Sequence, residues 1–529
     1  MSFFNQLRSY SKQSGPGWIQ AAVTLGGGTL VSALYLGVIG GYEFLWLQPL
    51  AMLMGYIMLT AISHVTLSKT DFKDRPFKLV EKHVSKPLAW GWLFATVLAN
   101  VVFCSAQFAL ATDALQGSLG FTDVNPFVIT FFLFVIGVSL MWLFSQESKV
   151  SRIVDGFIKS LVALIVLSFF GVVIVIGVNG DIALSELLNG LIPDFNALFK
   201  PTDSFTEAIE LTGDFEGYWS GYISGSQRDI IIGAFGTAVG INMTFLLPYT
   251  LLKKKWKRED RTVARYDLFF GLLIPFILGA SFLIIASASQ FHAKKDSFVN
   301  EQAYHEVLDQ RLEREHPSLK SLSQDELIHL RAEAPQADKD LSVMLAKRTV
   351  TDLSVSLRPI LGDGSKVVFG IGVLAMALST MLVHMMINGY AIGEALGRPN
   401  KKKLFLVGAM IPAFTGFISP ILWSGQVKTA LAVPASVIAT TLLPIAYLIF
   451  FLLMNSRKAM GADRPKKKAL TNGLMLVAMG IASFASVWAL LSKVRSEVAY
   501  EQYFGWIGII GLPLLILIGT YSFLKKEKI

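Results

Sequence analysis

Long apolar runs separated by short polar and basic breaks dominate this chain. Each run is roughly the 20 residues that an α-helix needs to cross a hydrocarbon core. About twelve such spans are predicted, near 18–39, 44–66, 89–116, 127–144, 153–178, 230–252, 267–290, 367–395, 403–423, 430–454, 470–491 and 503–524. Two of them carry glycine-rich interruptions. The first has Gly26, Gly27, Gly28 and Thr29 in the middle of its apolar run, and the sixth has Gly236 to Thr244. A glycine inside a helix costs roughly 1 kcal/mol relative to alanine. Unwound backbone at membrane depth persists only where protein or a wet cavity satisfies it. Paired interruptions in two halves of a chain mark a transporter's binding site. Close helix packing through small residues is the alternative reason for such glycines.

The polar segments set the orientation. Basic residues gather on alternate loops: Lys69 to Lys86, Lys149 and Arg152, Lys253 to Arg265, Arg398 to Lys403, Arg457 to Lys468 and Lys525 to Lys528. The loop 117–126 has no Lys or Arg, and 179–229 has only Lys200 and Arg228. The positive-inside rule therefore puts both termini in the cytoplasm, with an inner bacterial membrane as the expected location. The mixed-charge stretch 291–366 is expected to be extracytoplasmic. Within it Ser323-Gln324-Asp325-Glu326 reads as a capping box that opens a short helix.

Composition agrees with the spans. The chain has 529 residues, 53% hydrophobic and 16% charged, with a mean hydropathy of +0.54. The net charge of +9 follows the topology, so the expected partners are the lipid bilayer and a small solute or ion, and no nucleic acid. The single cysteine, Cys104, excludes an intrachain disulfide. No Walker loop, nucleophile elbow or His-Glu-x-x-His is present, so neither an enzyme nor a nucleotide-driven pump is expected and no cofactor is implied.

Several short motifs in order resemble the natural resistance-associated macrophage protein (NRAMP) family of proton-coupled divalent-metal transporters. They are Gly15-Pro16-Gly17, Ala111-Thr112-Asp113, FGIGVLAMALST at 369–380, Gly393-Glu394, Leu443-Pro444 and NSRKAMG at 455–461. The resemblance runs from Gly15 to about Pro465. It implies an all-α polytopic fold with a 5+5 inverted repeat, unwound first and sixth helices, and two extra C-terminal helices. The expected organisation is a tail 1–17, a first repeat 18–178, a loop 179–229, a second repeat 230–454 containing the insertion 291–366, and a C-terminal pair with a basic tail, 455–529.

The resemblance also shows what this chain lacks. The family's metal-binding Asp-Pro-Gly-Asn falls on Gly26, Gly27, Gly28 and Thr29, and its Met-Pro-His falls on Gly240, Ile241 and Asn242. The Asp-x-x-Glu motif keeps Asp113 but has Gln116 for the acid, and a tenth-helix glutamine aligns with Ser436. A divalent ion in a low-dielectric site needs anionic or strongly polar ligands. The expected function is therefore alternating-access transport of a neutral or weakly charged organic solute. The expected solute site is Gly26, Gly27, Gly28, Thr29, Gly240, Asn242 and Thr244, helped by Gln107 and Asn100. Ser379, Thr380 and Asp113 are the candidates for a coupling ion, sodium or a proton, and His384 is a further ionisable group in the eighth span. Divalent-metal transport through an altered site is the alternative, and a channel or non-transporting receptor is the second alternative.

Overall fold

The computed structural model describes residues 13–68, 75–146, 148–178, 184–297, 299–356, 358, 362, 364–422, 432–495 and 499–528. Among these the chain is helical, with no strand. Local sequence starts many of the helices. Proline, which has no N–H to leave unpaired in a first turn, opens Pro16–Thr24 and Pro126–Phe144. In the latter Asn125 caps the helix by accepting from Phe127 N at 2.9 Å.

The spans are Pro16–Thr24 with Gly27–Gly40, Leu47–Thr66, Lys86–Asp113, Pro126–Phe144, Ser148–Val178, Glu216–Ala238 with Ile241–Lys253, Arg258–Phe291, Gly364–Ala395, Lys402–Phe417, Ala432–Asn455, Lys468–Val494 and Ala499–Lys528. Among the described residues eight helices are long and apolar enough to cross a membrane unaided, and up to ten if two bent pairs count as one span each. The sixth and ninth spans fall short of the expected twelve. The sixth is broken and its first half is polar, while Lys402–Phe417 has only 16 residues.

Burial sorts the spans into a centre and a rim. The most apolar window is 72% buried in the eighth span, 67% in the third and 61% in the seventh. It is 39% buried in the eleventh and 11% in the twelfth. The first group encloses the broken helices, while the fourth and fifth spans, each 33% buried, and the C-terminal pair form the rim.

Both interruptions are narrower than the glycine runs suggest. The first break is Leu25–Gly26, and the chain turns there by 57°. Gly27, Gly28 and Thr29 form the first turn of the next helix. The second break is Val239–Gly240, so Gly236 lies within the preceding helix. That helix begins at Glu216, inside the stretch expected to be loop. The insertion contains Glu301–Leu312, Gln324–Glu333 and Gln336–Leu345, and Ser323 and Glu326 do form the capping box.

Candidate functional site

Four helix ends meet where the two breaks face each other. Thr24 Oγ1 donates to Ala238 O at 2.6 Å, which ties the last turn before one break to the last turn before the other. Helix N-termini carry unpaired N–H groups and a partial positive charge. Here side-chain amides cover part of them. Gly27 N donates to Gln107 Oε1 at 3.1 Å, and Met243 N donates to Asn242 Oδ1 at 2.9 Å.

Between the breaks lies a cavity of about 30 Å³, room for water but far below the roughly 300–1,000 Å³ of small-molecule pockets. Of the residues expected from the sequence, Gly26, Gly28, Thr29, Gly240, Asn242 and Thr380 line it, as do Gln107 and His384. Gly27, Thr244, Ser379, Asn100 and Asp113 do not. Gly27 meets Gln107 through its N–H. Thr244 is buried and bonded to Ile241 O at 2.5 Å and Trp92 Nε1 at 3.0 Å, a role in helix packing. Asp113 ends the third span, six residues beyond Gln107, or about 9 Å along the axis. Ser436 lies in a stretch whose side chains are outside the described residues.

Four lining residues are not among those expected from the sequence: Val23, Thr24, Phe103 and Met243. Met243 matters because it returns a methionine to the site, although not at the position where the family's methionine aligns. The only signal for it is its place one helical turn after Gly240. The lining contains no Asp, Glu, Lys or Arg. Among the described residues no three His, Cys, Asp or Glu side chains are grouped to hold a metal.

Two polar arrangements surround the cavity. Thr380 Oγ1 donates to Ala22 O at 2.8 Å, and Ser379 Oγ reaches the same oxygen at 3.4 Å. The hydroxyl pair therefore converges on a first-span carbonyl, four residues before Gly26. On the other side an amide chain crosses three spans: Asn242 Nδ2 donates to Asn100 Oδ1 at 3.2 Å, and Asn100 Nδ2 to Asn388 Oδ1 at 2.9 Å. His384 stacks on Phe103 with ring centroids 5.4 Å apart, and its Nδ1 is buried without a hydrogen-bond partner.

The Gly-Pro-Gly motif has a physical role at the basic face. Asp267, fully buried in the seventh span, accepts from Gly15 N at 2.9 Å and Gly17 N at 2.6 Å. A Cβ at Gly17 would lie 2.0 Å from the Asp267 carbonyl oxygen, so only glycine lets the two chains approach this closely. Lys159, at i,i+4 from Asp155, donates to Ser14 O at 2.8 Å instead of forming a local ion pair. Asp155 lies 3.9 Å from Lys254.

The profile of the family described as natural resistance-associated macrophage protein-like matches residues 17–315 and 338–492. No curated protein matches the sequence. Among solved structures, a manganese transporter of Eremococcus coleocola, in complex with an aromatic bis-isothiourea substituted compound, gives a TM-score of 0.69 at 13% identity, over 99% of this chain and 97% of that one. Mhp1, a nucleobase-cation-symport-1 family transporter in a closed conformation with bromovinylhydantoin bound, gives 0.51 at 10% identity, over 93% and 96%. At such identities the likeness is one of fold, an inverted-repeat transporter scaffold with a broken first and sixth span. With nearly the whole length covered by the family profile, the chain belongs to the NRAMP-like family of membrane transporters.

Proposed function

We propose that this protein moves a small neutral or weakly charged organic solute across the membrane by alternating access, binding it where the first and sixth spans break. The observation that carries this reading is the lining of the cavity. Amides (Gln107, Asn242), hydroxyls (Thr24, Thr29, Thr380), one imidazole and one thioether surround it, with no carboxylate among them. Such groups satisfy hydrogen-bonding solutes, whereas a bare divalent ion in this environment lacks compensating charge. Ala22 O with Ser379 and Thr380 supplies oxygens of the kind that suit sodium, which supports it as the coupling ion. Both termini face the cytoplasm in this reading, and the insertion faces outward.

A metal cargo is the second reading. It is favoured by the family, by the fold shared with a manganese transporter, and by Met243 at the cavity. Proteoliposome uptake separates the two. The organic reading expects no saturable Mn or Mg entry above empty liposomes, and saturable uptake of one member of an organic-solute panel that falls when sodium is replaced. Saturable manganese entry would retire it.

A further inference from the structure

A second cavity, of about 380 Å³, reaches from the first break to the insertion, and Gly28 lines both it and the smaller one. Its size falls within the roughly 300–1,000 Å³ of small-molecule pockets. Aromatic rings from three spans form part of the wall: Tyr35 of the first, Tyr222 of the sixth and Trp488 of the eleventh. The charged lining residues are Asp229, Glu306, Lys347 and Lys493, two acids and two bases. Asp229 accepts from Trp488 Nε1 at 3.0 Å, and Glu306 lies 3.3 Å from Lys347 Nζ. The Glu306 and Lys347 side chains stay about half exposed, so they remain within reach of a solute.

The insertion forms the outer part of this wall and is fastened to the sixth span. Arg311, fully buried, pairs with Asp338 at 2.9 Å and lies over the Phe215 ring at 3.2 Å. Asp338 also accepts from Trp219 Nε1 at 2.7 Å. The helices Glu301–Leu312 and Gln336–Leu345 are thereby held to Glu216–Ala238, the half-helix that ends at the second break. Any swing of that half-helix carries the wall with it.

We propose that this vestibule is a binding site of its own, walled by the insertion, for an organic solute of zero net charge carrying both an anionic and a cationic group. Such a zwitterion meets Glu306 and Lys347 with its two ends and the aromatic rings with its body, beside Gly28, and the smaller cavity of about 30 Å³ has to widen before the solute enters it. This rests on the organic-solute reading above and narrows it.

The test uses the buried Cys104, which leaves the native chain without a reachable thiol. Ser226, partly exposed on the vestibule wall, is replaced by cysteine (S226C). The protein is held in lipid nanodiscs and labelled with methanethiosulfonates. Rates with ammonium and sulfonate reagents, each normalised to free cysteine, are expected to agree within about threefold, against the tenfold or larger bias of a single-sign funnel. Adding E306K is expected to favour the sulfonate, and adding K347E the ammonium. Glycine betaine and tryptophan are expected to slow labelling about twofold at a concentration equal to their dissociation constant. Choline, indole-3-acetate and Mn²⁺ are expected to leave it unchanged.

A strong preference for the ammonium reagent, slowing by Mn²⁺, or no slowing by either zwitterion would overturn the proposal. Saturable manganese uptake by liposomes together with zwitterion protection would retire the transport reading alone. Lack of protection retires the vestibule whatever the uptake assay returns.

Discussion

The two sides of the small cavity are built differently. Toward the insertion it adjoins a vestibule more than ten times its size, walled by aromatic and charged side chains. Toward the basic face the path is packed shut. Gln20 Nε2 donates to Met243 O at 3.3 Å, the amide chain from Asn242 to Asn388 fills the space between spans, and the Asp267 carboxylate clamps the N–H groups of Gly15 and Gly17. The open side is held by a buried ion pair between side chains. The closed side is held by bonds to backbone together with a side-chain ion pair of its own, Arg75 to the buried carboxylate of Glu394 at 2.5 Å. Alternating access in this protein therefore needs the backbone bonds of the basic face to be released, and it needs the insertion to stay attached on the other.

The largest expected effect comes from breaking the insertion side. Asp338→Ala takes from buried Arg311 its buried carboxylate, leaving only the partly exposed Glu315 at 2.9 Å, and removes the acceptor of Trp219. Removing one partner of a buried pair costs about 3–5 kcal/mol. Because the pair joins the insertion to one helix, the loss is expected to be local. Amide hydrogen exchange is predicted to rise across Glu301–Leu312 and Gln336–Leu345 and to stay unchanged in the third and eighth spans. A uniform rise would mean that the insertion is part of the core.

The basic face comes next. Asp267→Ala strands two buried N–H groups, at about 1–3 kcal/mol each, and should favour the state open to that face. Gln20, fully buried here, reports on it: a cysteine at position 20 should react with thiol reagents faster in the Asp267→Ala background. Gly17→Ala should do the same by overlap with the Asp267 carbonyl oxygen. Unchanged reactivity in both would show that the carboxylate does not hold this side closed.

The sequence made the scaffold legible because its signals are local. Spans follow from apolar run length, and broken helices from glycine in the middle of a run. The centre of the site was legible for the same reason: Gly26, Gly28, Thr29, Gly240 and Asn242 sit at or beside the breaks. What stayed hidden depends on which face a helix turns inward. Thr24, Phe103 and Met243 look like ordinary span residues until the helices are placed. Thr244 and Asp113 show the converse, since polarity in a span does not say whether a side chain meets a cavity or a neighbouring helix. Asp267 was invisible because its partners are backbone groups some 250 residues away. The vestibule joins segments from the first span to the eleventh, a non-local arrangement that no spacing in the chain encodes.

A smaller effect is expected at the cavity itself. A Cβ at Gly26 would lie 2.5 Å from Thr380 Oγ1, so Gly26→Ala must push that hydroxyl away from Ala22 O. Overpacking of this kind costs about 1–3 kcal/mol, and the chain should still fold. If the hydroxyl pair and Ala22 O hold sodium, the variant needs more sodium for half-maximal solute uptake. Thr380→Ser, which keeps the hydroxyl and removes a methyl, should relieve the overlap and restore the sodium response. Equal sodium dependence in all three proteins would separate this carbonyl from coupling.

The smallest effect concerns the insertion far from the vestibule. Glu326 accepts from Ser323 N at 2.8 Å and Ser323 Oγ at 2.6 Å, and these bonds hold its carboxyl below its ordinary value of 4.5. A depressed carboxyl contributes stability that is fully present above the unfolded pKa and is lost as pH falls through the folded one. The first turn of Gln324–Glu333 should therefore lose exchange protection below pH 4.5, and Glu326→Gln should remove that pH dependence. The helix Gln336–Leu345, seated elsewhere in the insertion, is the reference segment. If both segments loosen together, the cap and the tie act as one unit, and the contrast between a firmly held wall and a separately capped helix within the insertion disappears.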